Sequence, residues 1–193
     1  MKKYKTIAFL SVASVGLALL FSLGGHAAIE ATSGDKFCVS CHEWMDPMAE
    51  AYSKDIHGGN NSLGAKAKCA DCHLPHDSLV GYLWQKGKNG FTEGAHMLLN
   101  DPKSKDWQAN RQRRDEYVFD TGCLKCHTTV MDIKSDNQVV GKMHELYVKY
   151  QNTSNAIQCS SCHVNVGHKG LGKVLYDRNH EPIGEWEDKV FSK

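Results

Sequence analysis

The stretch Cys38-Val39-Ser40-Cys41-His42 decides the architecture of this chain, because its pattern, Cys-x-x-Cys-His, occurs four times. The other copies are Cys69-Ala70-Asp71-Cys72-His73, Cys123-Leu124-Lys125-Cys126-His127 and Cys159-Ser160-Ser161-Cys162-His163. Together the four motifs contain all 8 cysteines. The spacing is the attachment signature of c-type haem, in which both thiols bind the porphyrin and the histidine is the proximal iron ligand. The sequence therefore predicts four covalently bound haem c groups.

Disulfides and zinc sites are the alternatives for eight cysteines, as four bridges or as two sites with four thiolates each. Neither alternative requires a histidine directly after every cysteine pair. All four pairs have one, although histidine makes up only 11 of the 193 residues. Covalent haem is therefore the favoured interpretation.

The composition points to a haem-filled interior and to no nucleic acid partner. The formal net charge is +1, from 23 basic and 22 acidic residues, so no strongly charged partner is indicated. Only 41% of the residues are hydrophobic, and about 40 residues remain for each haem. We expect a mostly α-helical chain with much irregular structure, wrapped around the haems in place of a conventional apolar core.

The N-terminus predicts a membrane anchor at residues 1–29. Lys2, Lys3 and Lys5 precede a stretch from Ile7 to Ala28 that contains no charged residue. A stretch of this length can span a bilayer, and the positive-inside rule leaves the lysines in the cytoplasm. In a bacterium, this arrangement is a single-pass anchor in the inner membrane with the haem motifs in the periplasm. A signal peptide cleaved near Ala28 is the alternative.

The order of motifs and free histidines repeats along residues 30–170, the predicted tetrahaem domain. Each half has a motif, a free histidine, a second motif and a second free histidine, which indicates two dihaem modules at about 38–100 and 115–170. A low-spin iron needs a second axial ligand, so His57, His144 and His168 are predicted as distal ligands. His76 is a weaker candidate, because it lies too close to His73 to reach the opposite face of the same haem. Residues 171–193 contain no motif and form a C-terminal extension.

The chain resembles the NapC/NirT family of membrane-anchored tetrahaem cytochromes, which includes the NapC, NrfH and CymA types. The resemblance covers nearly the whole chain and rests on these segments: Gly24-Gly25, Ile29-Glu30-Ala31-Thr32, Phe37-Cys38, Cys41-His42-Glu43, Asp55-Ile56-His57, Asn60-Asn61-Ser62, Cys72-His73-Leu74-Pro75-His76, Gly141-Lys142-Met143-His144 and Gly167-His168-Lys169. It implies a quinol dehydrogenase that oxidises menaquinol or ubiquinol. The electrons would pass along the haems to a periplasmic reductase, such as a nitrate or nitrite reductase, in anaerobic respiration.

The first haem departs from this resemblance. In NrfH-like members its ligand looks like a methionine two residues after the motif histidine, a position that Trp44 occupies here. The nearest methionines are Met45 and Met48. His42, Met45 and Met48 therefore all remain candidate ligands of the first iron.

The segment from Ser78 to Met97 is predicted to carry the quinol site. If it is helical, Lys86 and Glu93 share one face. The resemblance implies a quinol-contacting lysine with an acid seven residues later, which Lys86 and Glu93 match, with Lys88 as the substitute lysine. Asp101 matches a further acidic turn of the family.

Two other functions remain open at this stage. A soluble periplasmic electron shuttle would result if the N-terminal segment were cleaved. A haem reductase acting on nitrite or hydroxylamine would require an open iron, which the irregular first haem could supply. The resemblance favours quinol-linked electron transfer over both and leaves open whether the chain is itself an enzyme.

Overall fold

The computed structural model describes residues 2–40, 45–101, 104–132 and 136–180. Across these ranges the chain forms ten α-helices joined by turns and short 3-10 segments, and no β-strand. The helices are α1 (Lys2–Ala31), α2 (Asp35–Cys38), α3 (Asp46–Ser53), α4 (Cys69–His73), α5 (Leu79–Leu99), α6 (Trp107–Gln112), α7 (Asp120–Cys126), α8 (Gln138–Tyr150), α9 (Cys159–Cys162) and α10 (Leu171–His180). This arrangement confirms the predicted fold class.

Helix α1 is long and apolar enough to cross a membrane. Its 30 residues extend roughly 45 Å, more than the hydrocarbon core of a bilayer. None of its most apolar stretch is covered by the rest of the protein. The helix ends where Thr32 Oγ1 donates a hydrogen bond to the carbonyl oxygen of Ala28 at 2.7 Å and Ser33 Oγ donates one to that of Ile29 at 2.5 Å.

The apolar core of the described residues is small. It joins α3 to α10 through Ala51, Leu171, Val174 and Leu175, and two partly buried side chains, Met48 and Trp107, pack against it. Leu171 and Val174 are each only 5% exposed. The first part of the C-terminal extension is therefore a packed element of the haem domain, held against the helix that follows the first motif.

Helices α4 and α9 each hold both cysteines of a motif in four or five residues, and α7 ends on the third motif. Helices this short are unstable in isolation and depend on caps and tertiary contacts. Asp71 Oδ2 accepts a hydrogen bond from Lys68 N at 2.8 Å at the start of α4, and Ser161 Oγ accepts one from Gln158 N at 3.1 Å at the start of α9. The second and fourth motifs therefore lie on capped single turns of helix.

Helix α5 runs beside the end of the anchor. Its N-cap is Ser78, whose hydroxyl accepts a hydrogen bond from Gly81 N at 3.1 Å. None of the 21 residues of the helix is buried. Its spacing places Val80, Trp84, Phe91 and Leu98 on one face, and each of these side chains is at least 75% exposed. The helix thus presents a long apolar face next to the membrane-spanning segment.

Candidate functional site

Three pairs of histidine rings face each other, and each pair joins a motif histidine to a free histidine. The ring centroids lie 6.2 Å apart for His73 and His168, 6.1 Å apart for His57 and His127, and 6.3 Å apart for His144 and His163. The free histidines are the three that the sequence predicts as distal ligands. The structure thus assigns each of them a specific partner, which the sequence alone does not.

These separations match two imidazoles bound to opposite faces of one iron. An iron–nitrogen distance of about 2 Å, with each ring nitrogen roughly 1.1 Å from its own centroid, places the two centroids roughly 6.2 Å apart. Each pair also includes a histidine that directly follows two cysteines. The residues therefore fit a covalently attached haem at the second, third and fourth motifs.

In two of these rings, Nδ1 lies within hydrogen-bond distance of a backbone carbonyl oxygen. His73 Nδ1 lies 2.7 Å from the carbonyl oxygen of Tyr117, and His168 Nδ1 lies 3.1 Å from that of Met48. A ring that donates from Nδ1 keeps Nε2 available for iron. Burial lowers the pKa of His168 to about 4, so its imidazole is neutral and able to bind a metal at neutral pH.

At the first motif, His42 and Cys41 lie outside the described residues, as does Trp44. Of the other two candidate ligands of the first iron, Met45 is the half-buried N-cap of α3. Met48 packs against the core between α3 and α10. The ligand of the first iron therefore remains a choice of His42, Met45 or Met48.

The first cysteines of the motifs lie together in pairs, Cys38 with Cys69 and Cys123 with Cys159. A hydrogen bond with Cys69 lowers the pKa of the Cys38 thiol to about 7, and one with Cys159 lowers that of Cys123 to about 7. Cys123, Cys159 and the carboxylate of Asp120 have ligand atoms within 4.8 Å of one another. This cluster contains two thiols, in contrast to the four thiolates of the zinc alternative.

A carboxylate joins the two motifs of each module in the same way. Asp35 Oδ1 accepts a hydrogen bond from Cys69 N, and Asp120 Oδ1 accepts one from Cys159 N, both at 2.9 Å. A tyrosine hydroxyl lies near the other oxygen of each carboxylate. Tyr147 donates to Asp120 at 2.8 Å, whereas the Tyr52 hydroxyl, which donates to the carbonyl oxygen of Ala67, lies 3.4 Å from Asp35 Oδ2. Burial raises the pKa of Asp35, but hydrogen bonds from Lys66 and Cys69 outweigh it and hold the pKa below its ordinary value.

The second and third motifs are joined across the module boundary by a close backbone contact. Phe119 N donates a hydrogen bond to the carbonyl oxygen of Cys72 at 3.0 Å. A Cβ atom at Gly122 would lie 1.9 Å from the carbonyl oxygen of Asp71, so only glycine fits without a shift of the backbone. The motif contacts therefore run in sequence, from the first to the second, the second to the third and the third to the fourth.

His76, the weaker ligand candidate, has a different neighbour. Its Nε2 lies 3.1 Å from the carbonyl oxygen of Ala70, and its backbone N–H donates to Thr121 Oγ1 at 2.9 Å. Its ring faces Tyr82 at a centroid distance of 5.7 Å. The residue thus connects the second motif to helix α5.

Lys86 lies at the end of the membrane anchor. Its ammonium donates hydrogen bonds to the carbonyl oxygen of Thr32 at 2.7 Å and to Ser33 Oγ at 2.9 Å. The Tyr82 hydroxyl is 2.9 Å from the same Ser33 Oγ. Burial lowers the pKa of Lys86, and its charge contributes to the lowered pKa of Cys38, the first haem-attachment cysteine. The predicted quinol lysine therefore lies between the anchor and the first motif.

Glu93, two helical turns further along, forms an ion pair. Lys105 Nζ lies 3.0 and 3.1 Å from the two carboxylate oxygens, and the Lys105 side chain is only 15% exposed. Lys88, the substitute lysine, is exposed on the surface of α5, and Asp101 is exposed just beyond the end of that helix. The structure thus gives Glu93 a basic partner that the sequence does not indicate.

The comparison with protein families identifies the chain. The sequence profile described as NapC/NirT cytochrome c family, N-terminal region, matches residues 1–172. The chain belongs to this family. Because the NapC/NirT family consists of c-type cytochromes, its cysteine motifs carry covalently bound haem c, and its apolar N-terminal helix is a membrane anchor.

Several relatives in the NapC/NirT family are named. The chain is 28% identical over 158 residues to the cytochrome c-type protein NapC of Escherichia coli (strain K12), which covers 78% of this chain and 76% of that protein. It is 27% identical over 169 residues to the denitrification system component NirT of Stutzerimonas stutzeri, with 81% and 79% covered. It is 29% identical over 164 residues to the cytochrome c-type protein TorC of Escherichia coli (strain K12), covering 80% of this chain but 40% of TorC. No solved structure matches.

The two carboxylates that join the motifs are not among the residues predicted from the sequence. Asp35 and Asp120 each stand three residues before the first cysteine of their module, so the internal repeat contains a signal that could identify them. Two further residues hold the fourth motif: Arg114 Nε donates to the carbonyl oxygen of Ser160 at 2.6 Å, and Asp115 accepts from Ser160 Oγ at 2.5 Å. Nothing in the NapC/NirT motifs themselves points to this clamp on the fourth motif.

Proposed function

We propose that this protein is a tetrahaem quinol dehydrogenase of the bacterial inner membrane, with its haem domain in the periplasm. It takes electrons from a membrane quinol, menaquinol or ubiquinol, and delivers them to a periplasmic reductase such as a nitrate or nitrite reductase. The observation that carries the proposal is the set of three imidazole pairs at 6.1, 6.2 and 6.3 Å, arranged along a continuous series of motifs. Such a series suits electron transfer between fixed centres.

The ring pairs support a specific coordination for three haems. A haem at the second motif would be held by His73 and His168, one at the third by His127 and His57, and one at the fourth by His163 and His144. These six nitrogen ligands would leave three irons with no open position for a substrate. The first haem would be held by His42, Met45 or Met48.

Contacts between motifs support transfer along the series. The cysteine pairs join the first motif to the second and the third to the fourth, and the contact at Gly122 joins the second to the third. Each bound haem supplies a one-electron acceptor. The chain's own residues fix the spacing between the attachment sites, so that transfer needs no movement of one module against the other.

Lys86 supports quinol binding near the first haem. Its ammonium has three N–H donors, and two of them bind Thr32 and Ser33, so the third remains to orient a quinol oxygen. Tyr82 lies beside it, bound to Ser33 Oγ. A quinol diffusing in the bilayer would meet this group where α1 leaves the membrane. The carboxylate of Glu93, with Lys105 beside it, provides an acceptor for a quinol proton on the same helix face.

The proposed orientation of the protein in the membrane rests on the charged residues next to the anchor. Lys2, Lys3 and Lys5 stand before the apolar segment, and the positive-inside rule leaves them in the cytoplasm. The motifs then lie in the periplasm. The NirT relative is named a denitrification system component, which supports a reductase of nitrogen oxides as the electron acceptor.

Reduction of the purified, membrane-reconstituted protein by a quinol analogue tests the proposal. A charged hydrogen bond contributes about 1.5–3 kcal/mol, so Lys86→Ala should slow haem reduction by roughly 10- to 100-fold. Glu93→Gln should slow it as well. Dithionite should still reduce all the haems in both variants, because dithionite needs no quinol site.

Lys149→Ala is the matched control, since Lys149 lies on α8 and belongs to neither the anchor nor α5. Its quinol rate should equal that of the unmodified protein. If Lys86→Ala reacts with quinol at the unmodified rate, the proposed site is wrong. If Lys88→Ala is the slow variant instead, the quinol contact belongs to the substitute lysine.

A further inference from the structure

Asp55 is a buried carboxylate whose nearest partner is a predicted iron ligand. The residue is 5% exposed and lies between α3 and the 3-10 segment Ile56–Gly58. Its Oδ1 accepts two hydrogen bonds from His57, one from the backbone N–H at 2.8 Å and one from the ring Nδ1 at 2.9 Å. The ring that faces His127 is thus bound on its other side by an acidic group.

The other rings of the three pairs have different surroundings. His73 and His168, the pair at the second motif, contact neutral backbone carbonyls. The buried Nδ1 of His144, at the fourth motif, has no hydrogen-bond partner within the described part of the chain. Among the described residues, Asp55 is the one carboxylate that hydrogen-bonds a ring of these pairs.

We infer that Asp55 is a positioning residue that lowers the reduction potential of the haem at the third motif by hydrogen bonding to His57. This inference rests on the proposed pairing of His57 with His127. A carboxylate that accepts the Nδ1 proton fixes the ring orientation and raises the basicity of Nε2. A more basic ligand, with a buried negative charge behind it, stabilises ferric over ferrous iron.

As a consequence, the haems of the electron-transfer series differ in reduction potential. The haem at the third motif is harder to reduce than it would be with a neutral partner such as those of the second motif. It is also the haem next to the module boundary, where Gly122 contacts the second motif. Asp55 therefore affects the reduction potential of the haem through which an electron passes from the first module to the second.

A purely structural role for Asp55 must be separated from this effect. The carboxylate also caps the short 3-10 segment through the His57 backbone N–H. An asparagine side chain can accept the same backbone hydrogen bond but has no charge, so Asp55→Asn keeps the cap and removes the carboxylate. Asp55→Ser keeps a capping oxygen in a smaller side chain and serves as a second variant if the first does not incorporate haem.

The test is a redox titration of the full-length, haem-loaded protein, followed by optical and electron paramagnetic resonance spectra. His57→Ala first identifies the haem concerned, because its low-spin signal disappears when the distal ligand is lost. In Asp55→Asn that same haem should be easier to reduce, with its reduction equilibrium shifted about tenfold. A tenfold shift corresponds to about 59 mV for a one-electron couple. The low-spin signal of this haem should also move, and by more than that of the second haem, whose ligand His168 the Asp55 charge reaches without a hydrogen bond.

Glu50→Gln is the control, because Glu50 lies on α3 outside the motifs, pairs with Lys54 and contacts no ring of the three pairs. It should leave the low-spin signal of the third haem unchanged. If Asp55→Asn and Asp55→Ser leave both the potential and the signal of the haem identified by His57→Ala unaltered, the inference is wrong and the coordination stands. If His57→Ala leaves every haem low-spin, the proposed coordination itself fails.

Discussion

His73 and His168 face each other with ring centroids 6.2 Å apart, although the first belongs to the first module and the second to the second module. The pair of His57 and His127 also joins the two modules. The pair of His144 and His163 lies within the second module. Two of the three ring pairs therefore cross the module boundary, so each module holds a free histidine whose ring faces a motif histidine of the other.

Replacement of His168 by alanine should convert one haem from low to high spin. The change removes the ring opposite His73 and leaves the other two ring pairs intact. Electron paramagnetic resonance and optical spectra of the oxidised protein should show about one quarter of the iron in a high-spin state. Added imidazole should restore the low-spin signal by filling the vacated space.

His26→Ala is the control for this change, because His26 lies on the anchor with its side chain 80% exposed. Its spectra should match those of the unmodified protein. A His168→Ala protein in which every haem stays low-spin would contradict the assignment of His168 to the second motif.

Replacement of Gly122 by alanine should destabilise the haem domain. The added methyl group would lie 1.9 Å from the carbonyl oxygen of Asp71, so α4 and α7 must move apart. Overpacking of this kind costs typically about 1–3 kcal/mol. Thermal unfolding, followed by the haem absorbance, should show a lower midpoint, and electron exchange between the second and third haems should slow.

Gly141→Ala is the matched control, because a Cβ atom at this position on α8 meets nothing within 4 Å. An alanine inside a helix is favoured over glycine by up to about 1 kcal/mol. The unfolding midpoint of Gly141→Ala should therefore equal or exceed that of the unmodified protein. Equal midpoints for Gly122→Ala and Gly141→Ala would show that the contact between the motifs is loose.

Replacement of Leu171 by alanine should weaken the packing of α10 on α3. Leu171 is 5% exposed in a core of few residues, and a buried leucine-to-alanine change costs about 2–5 kcal/mol. The unfolding midpoint should fall. Because His168 Nδ1 contacts the carbonyl oxygen of Met48 on α3, the low-spin signal of the second haem should broaden as well.

Leu63→Ala makes the same chemical change at a side chain that is 87% exposed. Its midpoint and spectra should be close to those of the unmodified protein. Comparable losses of stability in both variants would mean that α10 contributes nothing specific to the fold.

The cysteine motifs and the apolar segment were sufficient to predict the fold class, because covalent attachment requires a fixed local spacing that can be read directly. The family resemblance also needed the segments around the free histidines. The repeat identified the three free histidines whose rings face motif histidines. Which histidine faces which motif could not be predicted, since it depends on how the two modules fold against each other. His57 follows the first motif in sequence but faces His127 of the third.

The contacts of the proposed quinol residues could also not be predicted from the sequence. The helical spacing places Lys86 and Glu93 on one face, as α5 shows, but it does not indicate that Lys86 binds the end of the anchor. Lys105 and Glu93 are 12 positions apart and come together only because the chain turns back after α5. Contacts of this kind follow from tertiary structure and leave no periodic pattern.

The packing of α10 against α3 has a consequence for how the protein is made. Ribosomes synthesise the chain from its N-terminus, so α3 is made before the second, third and fourth motifs and α10 after all four. The core between α3 and α10 therefore cannot close until every motif has been synthesised. Its closure brings together the regions that flank the first and the last motif.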